Sequence, residues 1–214
     1  QEQNSYAGLT NKLLSKRAKR ICVAYDNMER FFPKERIIKT GNPLRGRFSA
    51  ESNNRDEALA YYGFNTELPV VLVVGGSLGT RTLNEMMKAW IKSLDGVAPV
   101  QVIWQTGKFY EREMREFLEA HPTKNIWQGA FIERMDYAYS AADVVLSRSG
   151  ACTVSELCLV AKPTIFVPSP NVAEDHQTKN AMALVEKGAA EIVRDSEAVE
   201  CGMKRAVELA MDGA

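Results

Sequence analysis

Three short stretches of this sequence put groups able to hold a phosphorylated ligand where a loop meets a segment of helical period. The first is Gly75-Gly76-Ser77-Leu78-Gly79-Thr80, which follows the apolar residues 70–74 and precedes an amphipathic segment. Glycines in such a turn let backbone amides approach a ligand, and the positive end of the following helix dipole favours an anion, so a diphosphate is the natural guest. The spacing is not Gly-x-Gly-x-x-Gly, because Ser77 stands at the second required glycine, and it is not a P-loop, because no Gly-Lys-Ser/Thr follows. That argues against a dinucleotide or an NTP. The alternative is a tight turn with Ser77 as a helix N-cap.

The second stretch lies between Arg148 and Lys162, where Glu156 is the lone charge. It follows Ser147-Arg148-Ser149-Gly150, so this segment too begins where a strand ends. A carboxylate there can accept from both hydroxyls of a ribose. The competing reading is a capping box, Thr153-x-x-Glu156, whose side chains only satisfy helix-end amides. The third stretch sets His176 and Gln177 side by side at a helix start, each offering a donor and an acceptor suited to sugar hydroxyls. Here the plain alternative is Asp175 as an N-cap with its polar neighbours in water.

Other chemistries find little support. The four cysteines, Cys22, Cys152, Cys158 and Cys201, show no Cys-x-x-Cys spacing, and with His121 and His176 as the only histidines no zinc set can be drawn. Unpaired cysteines fit a reduced, cytoplasmic compartment. Ser77, His176 and Asp175 lack the nucleophile-elbow context of a hydrolase triad. With 27 basic and 27 acidic residues among 214, no overall field draws in nucleic acid, and Lys16-Arg17-Ala18-Lys19-Arg20 reads as a solvated helix face without interleaved aromatics. Trp90, Trp104 and Trp127 fall on core positions. No apolar run approaches the roughly 18–20 residues that span a bilayer. The N-terminus has no signal-peptide pattern and no initiating methionine, so the chain is read as an interior piece of a longer protein.

The elements that must position these stretches follow from the hydrophobic pattern. Strands are expected at 70–74, 100–105, 125–129, 143–147, 163–167 and, more weakly, 190–193, alternating with helices. The clearest helix places Leu83, Met86, Met87, Trp90, Ile91 and Leu94 on one face. This rhythm predicts an α/β fold, a Rossmann-like doubly wound parallel sheet, which binds ligands at the carboxyl edge of its strands. Residues 1–47 do not share the rhythm. They read as a basic amphipathic segment at 9–20, strands at 21–25 and 36–40, and a turn at Gly41-Asn42-Pro43, with a domain boundary there and a second domain at 48–214 that opens with a helix over 56–63.

Taken in order, these pieces resemble the bacterial MurG family of glycosyltransferases, which converts lipid I into lipid II in peptidoglycan synthesis. The matching residues are Glu2-Gln3-Asn4-Ser5 with Ala7-Gly8-Leu9-Thr10-Asn11, Gly41-Asn42-Pro43-Leu44-Arg45, and Val73-Val74-Gly75-Gly76-Ser77-Leu78-Gly79. They continue with Phe131-Ile132, Ala142-Asp143-Val144-Val145, Ser147-Arg148-Ser149-Gly150-Ala151, Thr153-Val154-Ser155-Glu156 and His176-Gln177 before Asn180-Ala181. The resemblance implies a GT-B fold in which 48–214 is the C-terminal UDP-N-acetylglucosamine-binding domain and 1–47 a remnant of the N-terminal acceptor domain plus linker. It implies that Ser77 and the amides around Gly75, Gly76 and Gly79 take the diphosphate, with Arg45 nearby, and that the main chain at Ile132 reads the uracil. Ala151, Cys152 and Thr153 line the nucleotide site, Glu156 holds the ribose, and His176, Gln177 and Asn4 face the sugar.

The implied reaction is an inverting, metal-independent transfer needing no cofactor, with lipid I bound through the absent domain at the cytoplasmic face of the membrane. The catalytic base belongs to that absent domain, so the chain alone is expected to be inactive. Leu78 stands where many members carry glutamine, and Cys152 where a larger aliphatic residue is frequent. A glycolipid synthase of the same fold and a non-enzymatic nucleotide-sugar-binding module are the alternatives. Leu13, Leu14, Ile21, Val23, Phe31 and Phe32 are expected to pack against the absent domain in the intact protein, and so here to be exposed or covered by another molecule and to promote self-association.

Overall fold

The computed structural model describes residues 1–44 and 54–212. Val70–Val74 (β3), apolar at every position and buried throughout, is a central strand covered on both faces. It pairs in parallel with Val97–Gln105 (β4) on one side and Val144–Ser147 (β6) on the other. Lys124–Gly129 (β5) adds beyond β4, and Thr164–Phe166 (β7) and Glu191–Ile192 (β8) add beyond β6. The six-stranded order is therefore β5-β4-β3-β6-β7-β8, all parallel. All six expected strands form, although β4 begins earlier than its hydrophobic pattern, at the exposed Val97.

The chain builds outward from β3 to β5, then crosses back and builds outward from β6 to β8. The direction thus reverses between β3 and β6, and the loops leaving those two strands diverge around a crevice, which is where doubly wound sheets hold ligands. Two hydrophobic layers fix this geometry. On one face Arg81–Lys92 (α3), Glu111–Ala120 (α4) and Ala198–Met211 (α8) bury Met86, Met87, Met114 and Met203 against Val73, Trp104 and Leu146. On the other face Arg55–Tyr62 (α2), Met135–Ala141 (α5), Ala151–Val160 (α6) and His176–Val185 (α7) bury Leu59, Tyr139, Leu157 and Ala181 against Leu72, Val145 and Phe166. At the amino edge, Asp143 Oδ2 accepts from the Val70 amide and from Arg55 Nη2, each at 2.8 Å, fixing β3, β6 and α2 together.

The first 44 residues form a small unit of their own. Leu9–Ser15 (α1) leads to Ile21–Val23 (β1), which pairs in parallel with Ile37–Lys39 (β2). The helix stops well short of residue 20 because Arg36 Nη1 takes the carbonyls of Ser15, Lys16 and Ala18 at 3.2–3.3 Å, so the basic run that follows is not a helix face. The expectation of a fully exposed apolar surface is corrected for Ile21, Val23 and Phe32, which are buried with Ala7 and Met28 in a separate cluster. Leu13 and Leu14 are exposed at 59% and 61%. The turn at Gly41-Asn42-Pro43 is stitched to the larger unit, for Asn42 Nδ2 donates to the carbonyls of Gln3 and Ala151 and to Ser155 Oγ.

Candidate functional site

The two loops that leave β3 and β6 open on one cleft of about 460 Å³. Its walls include Gly75, Gly76 and Gly79 from the first loop, Gly150 and Thr153 from the second, and Gln177 from α7. Residues expected from three separate stretches are thus brought to one cavity. Ser77 is exposed in the first loop, and Ala151, Cys152 and Glu156 belong to α6 beside it, without forming the wall of that cavity. Arg45 and the expected boundary at 47 and 48 lie outside the described residues.

The glycine loop owes its shape to two residues in the left-handed region, Gly76 (φ +86°) and Gly79 (φ +87°). The Gly79 amide closes on the Gly76 carbonyl at 3.0 Å, and Thr80 Oγ1 donates to the Gly75 carbonyl at 2.7 Å. Thr80, not Ser77, is the N-cap residue of α3, which corrects the capping alternative for Ser77. The loop rests on the turn after β4, where Gly107 (φ +82°) lies backbone to backbone against Gly79 and the Lys108 amide donates to the Ser77 carbonyl at 3.2 Å.

Helix α6 starts from Gly150, an extended N-cap with no side-chain cap, so the first amides of this helix face the cleft end without an intrahelical acceptor. Thr153 sits inside the first turn, and Glu156 accepts from Tyr139 Oη at 3.0 Å, so the capping box does not form. Burial, reinforced by the Glu156 charge, pushes the Tyr139 phenol well above the ordinary tyrosine range and keeps it a hydrogen-bond donor. At α7 the N-cap is Asp175, itself left-handed (φ +50°), whose Oδ1 accepts from Thr178 Oγ1 at 2.7 Å. Gln177 Oε1 accepts from the Ser169 amide at 2.8 Å, holding the loop after β7 to the cleft. His176 is half-buried next to it. Ile132, beyond β5, is 4% exposed with its side chain in the core, and it does not form part of the wall of the cleft.

Two basic residues in the cleft wall, Arg81 and Arg148, are given no role by the sequence reading, although Arg148 lies within one of its motifs. Arg81 opens α3 directly after the glycine loop, and that adjacency is a signal the sequence does carry. Arg148 is held by the Val167 carbonyl at 2.8 Å and by Asp195 at 2.5 Å, while Asp195 also accepts from Thr82 Oγ1 at 3.0 Å. That ion pair ties the ends of β6 and β7 to the starts of α3 and α8, and only the fold brings its members together. Among the described residues, no group of three or more His, Cys, Asp or Glu side chains is placed to hold a metal ion, and no helix is long and apolar enough to cross a membrane.

A parallel sheet whose switch point opens between two glycine-led helix starts defines a nucleotide-binding-type α/β domain of the GT-B class. The glycosyltransferase family 28 C-terminal domain matches residues 70–212, and the chain belongs to that family. It is 51% identical over 212 residues to the UDP-N-acetylglucosamine--N-acetylmuramyl-(pentapeptide) pyrophosphoryl-undecaprenol N-acetylglucosamine transferase of Parabacteroides distasonis, covering 99% of this chain and 57% of that protein. The enzyme of the same name from Porphyromonas gingivalis is 53% identical over 219 residues, covering 100% of this chain and 56% of that protein. The crystal structure of Acinetobacter baumannii MurG superposes with a TM-score of 0.68 at 32% identity, covering 98% of this chain and 59% of that one. The chain therefore spans little more than half the length of the curated relatives it matches.

Proposed function

We propose that this chain is the donor-binding part of an inverting transferase that moves N-acetylglucosamine from UDP-N-acetylglucosamine to the muramyl sugar of lipid I, forming lipid II. The observation that carries this reading is the convergence of the 75–80 loop and the start of α6 on one cleft, in a chain that aligns over 99–100% of its length, at 51–53% identity, with proteins bearing that activity in their names. The diphosphate lies across the two helix starts, where unpaired amides and helix dipoles meet it. Departure of UDP places further negative charge there, and preorganised amides together with Arg81 stabilise that charge without a metal ion or other cofactor. Glu156 takes the ribose hydroxyls, the main chain at Ile132 the uracil, and His176, Gln177 and Asn4 the sugar.

Residues 1–47 are, on this reading, a remnant of the domain that binds the acceptor together with the linker, and that domain supplies the base for the attacking hydroxyl at the cytoplasmic membrane surface. Any self-association of this chain rests on Leu9, Leu13 and Leu14, the apolar residues that α1 leaves exposed. Titration calorimetry tests the donor assignment: UDP-N-acetylglucosamine is expected to bind more tightly than UDP-glucose, and equal affinities would contradict it.

A further inference from the structure

Asp195, in the loop between β8 and α8, brings a carboxylate into the wall of the same cleft as Arg81 and Arg148. A negative charge there opposes any diphosphate that the glycine loop and the start of α6 attract. A structural ion pair with Arg148 would explain it, but the contact is not built as one. Elsewhere in the chain such pairs are forked. Arg205 gives Nε and Nη2 to the two Glu191 oxygens at 2.8 and 2.7 Å, and Arg134 gives Nε and Nη2 to the two Asp136 oxygens at 2.9 and 2.7 Å.

Arg148 instead meets Asp195 through Nη1, 2.5 Å from Oδ1, and directs the hydrogen bond of that nitrogen to the Val167 carbonyl at 2.8 Å. Arg148 Nε and Asp195 Oδ1 are both buried without a hydrogen-bond partner among the described residues. The other carboxylate oxygen, Oδ2, accepts from Thr82 Oγ1 at 3.0 Å, and Thr82 itself belongs to the cleft wall. Asp195 is thus in charge contact with Arg148 and anchored from the cleft side, while the guanidinium keeps a donor uncommitted. Among the described residues the wall then holds two cations and one anion, Arg81, Arg148 and Asp195.

Free UDP and a UDP-sugar differ in the charge they bring to that wall. A terminal phosphate loses a second proton near about pH 6, and a phosphate esterified to a sugar has none to lose. Near about pH 8, UDP therefore carries about three negative charges and its sugar ester about two. At about 10 Å in a water-like dielectric, one carboxylate weakens binding about twofold for each ligand charge. Resting on the donor-site reading above, we infer that Asp195 is a specificity-determining residue: its carboxylate, set against Arg148, disfavours free UDP relative to the nucleotide sugar and so favours release of the spent nucleotide.

The test is titration calorimetry on the 214-residue chain at low salt and about pH 8, with UDP, UDP-N-acetylglucosamine and uridine. D195N removes the charge and keeps an acceptor for Thr82. It is expected to tighten UDP about eightfold and UDP-N-acetylglucosamine about fourfold, and to change uridine by less than about twofold. D195E, which keeps the charge, should tighten neither nucleotide, and the gains in D195N should shrink as salt screens them. A purely structural role predicts unchanged or weaker binding of all three ligands. Should D195N not fold, D195S carries the same expected order, with Arg148 still held by the Val167 carbonyl. Unchanged or weaker UDP binding, or a gain no larger for UDP than for the sugar nucleotide or uridine, overturns the inference. Failure of the unaltered chain to bind UDP at all overturns instead the donor-site reading on which it rests.

Discussion

Alanine at Gly79 and alanine at Gly76 separate backbone conformation from close packing in the loop that is central to the cleft. Both residues have a left-handed backbone, φ +87° and +86°. A Cβ at Gly76 meets nothing within 4 Å, so G76A carries only the conformational penalty, about 1–2 kcal/mol. A Cβ at Gly79 would stand 2.2 Å from the Thr106 carbonyl oxygen and 3.0 Å from Gly107 Cα, both backbone atoms that a rotamer change cannot move aside. Overpacking of that kind adds roughly 1–3 kcal/mol to the same penalty, giving about 4 kcal/mol for G79A. For a chain of this size each kcal/mol lowers Tm by about 2–4 °C, so G76A should fall by roughly 3–6 °C and G79A by roughly 8–16 °C in thermal unfolding followed by circular dichroism. G79A should also weaken UDP because the loop must shift away from Gly107. If the two variants melt together, the loop does not depend on the Gly79 and Gly107 contact and the account of its rigidity is wrong.

Three further perturbations probe the surroundings of the cleft. E156Q keeps an acceptor for Tyr139 Oη but loses the charge, so calorimetry should show UDP about tenfold weaker with little change in Tm, whereas E156A should also cost about 1–3 kcal/mol in urea unfolding. For the half-buried pair of Arg148 and Asp195, R148M and D195N should each lose about 3 kcal/mol in the same assay, and the double variant clearly less than their sum; strict additivity would mean the pair is not coupled. The Glu2 carboxyl is raised by burial but lowered more by hydrogen bonds from Asn11, Asn4 and Gly8, and its net position is below the ordinary glutamate value. A depressed folded-state pKa stabilises above the unfolded value and loses that contribution as pH falls through the folded one, so the Tm advantage over E2Q should be full near pH 7 and shrink below about pH 4.5. A gap independent of pH would refute it.

The sheet was legible because burial on both faces writes itself as unbroken apolar runs, as at Val70–Val74, and because parallel strands need crossover helices whose stripes, such as Leu83, Met86, Met87 and Ile91, repeat at helical spacing. The glycine loop was legible because left-handed backbone positions favour glycine. The capping reading holds at Asp175, which precedes α7, but at α6 it fails for a local reason: Thr153-x-x-Glu156 satisfies a capping signature anywhere in a helix, and only the structure reveals that Gly150 is the residue at the end. The burial of Ile21, Val23 and Phe32 was missed because it depends on β1 finding β2 and on Met28 folding beneath them. The pairing of Arg148 with Asp195 was missed for the same kind of reason. A polar residue on a helix or at a strand end looks the same in sequence whether it meets water or a partner far along the chain, and topology alone decides which.

A crystal structure of the chain with UDP bound would show whether the two helix starts share one diphosphate. The diphosphate should lie within hydrogen-bond reach of backbone amides in both the 75–80 loop and the first turn of α6, with the ribose hydroxyls on Glu156. Density for UDP at the amino edge of the sheet, or in contact with only one of the two helix starts, would contradict it.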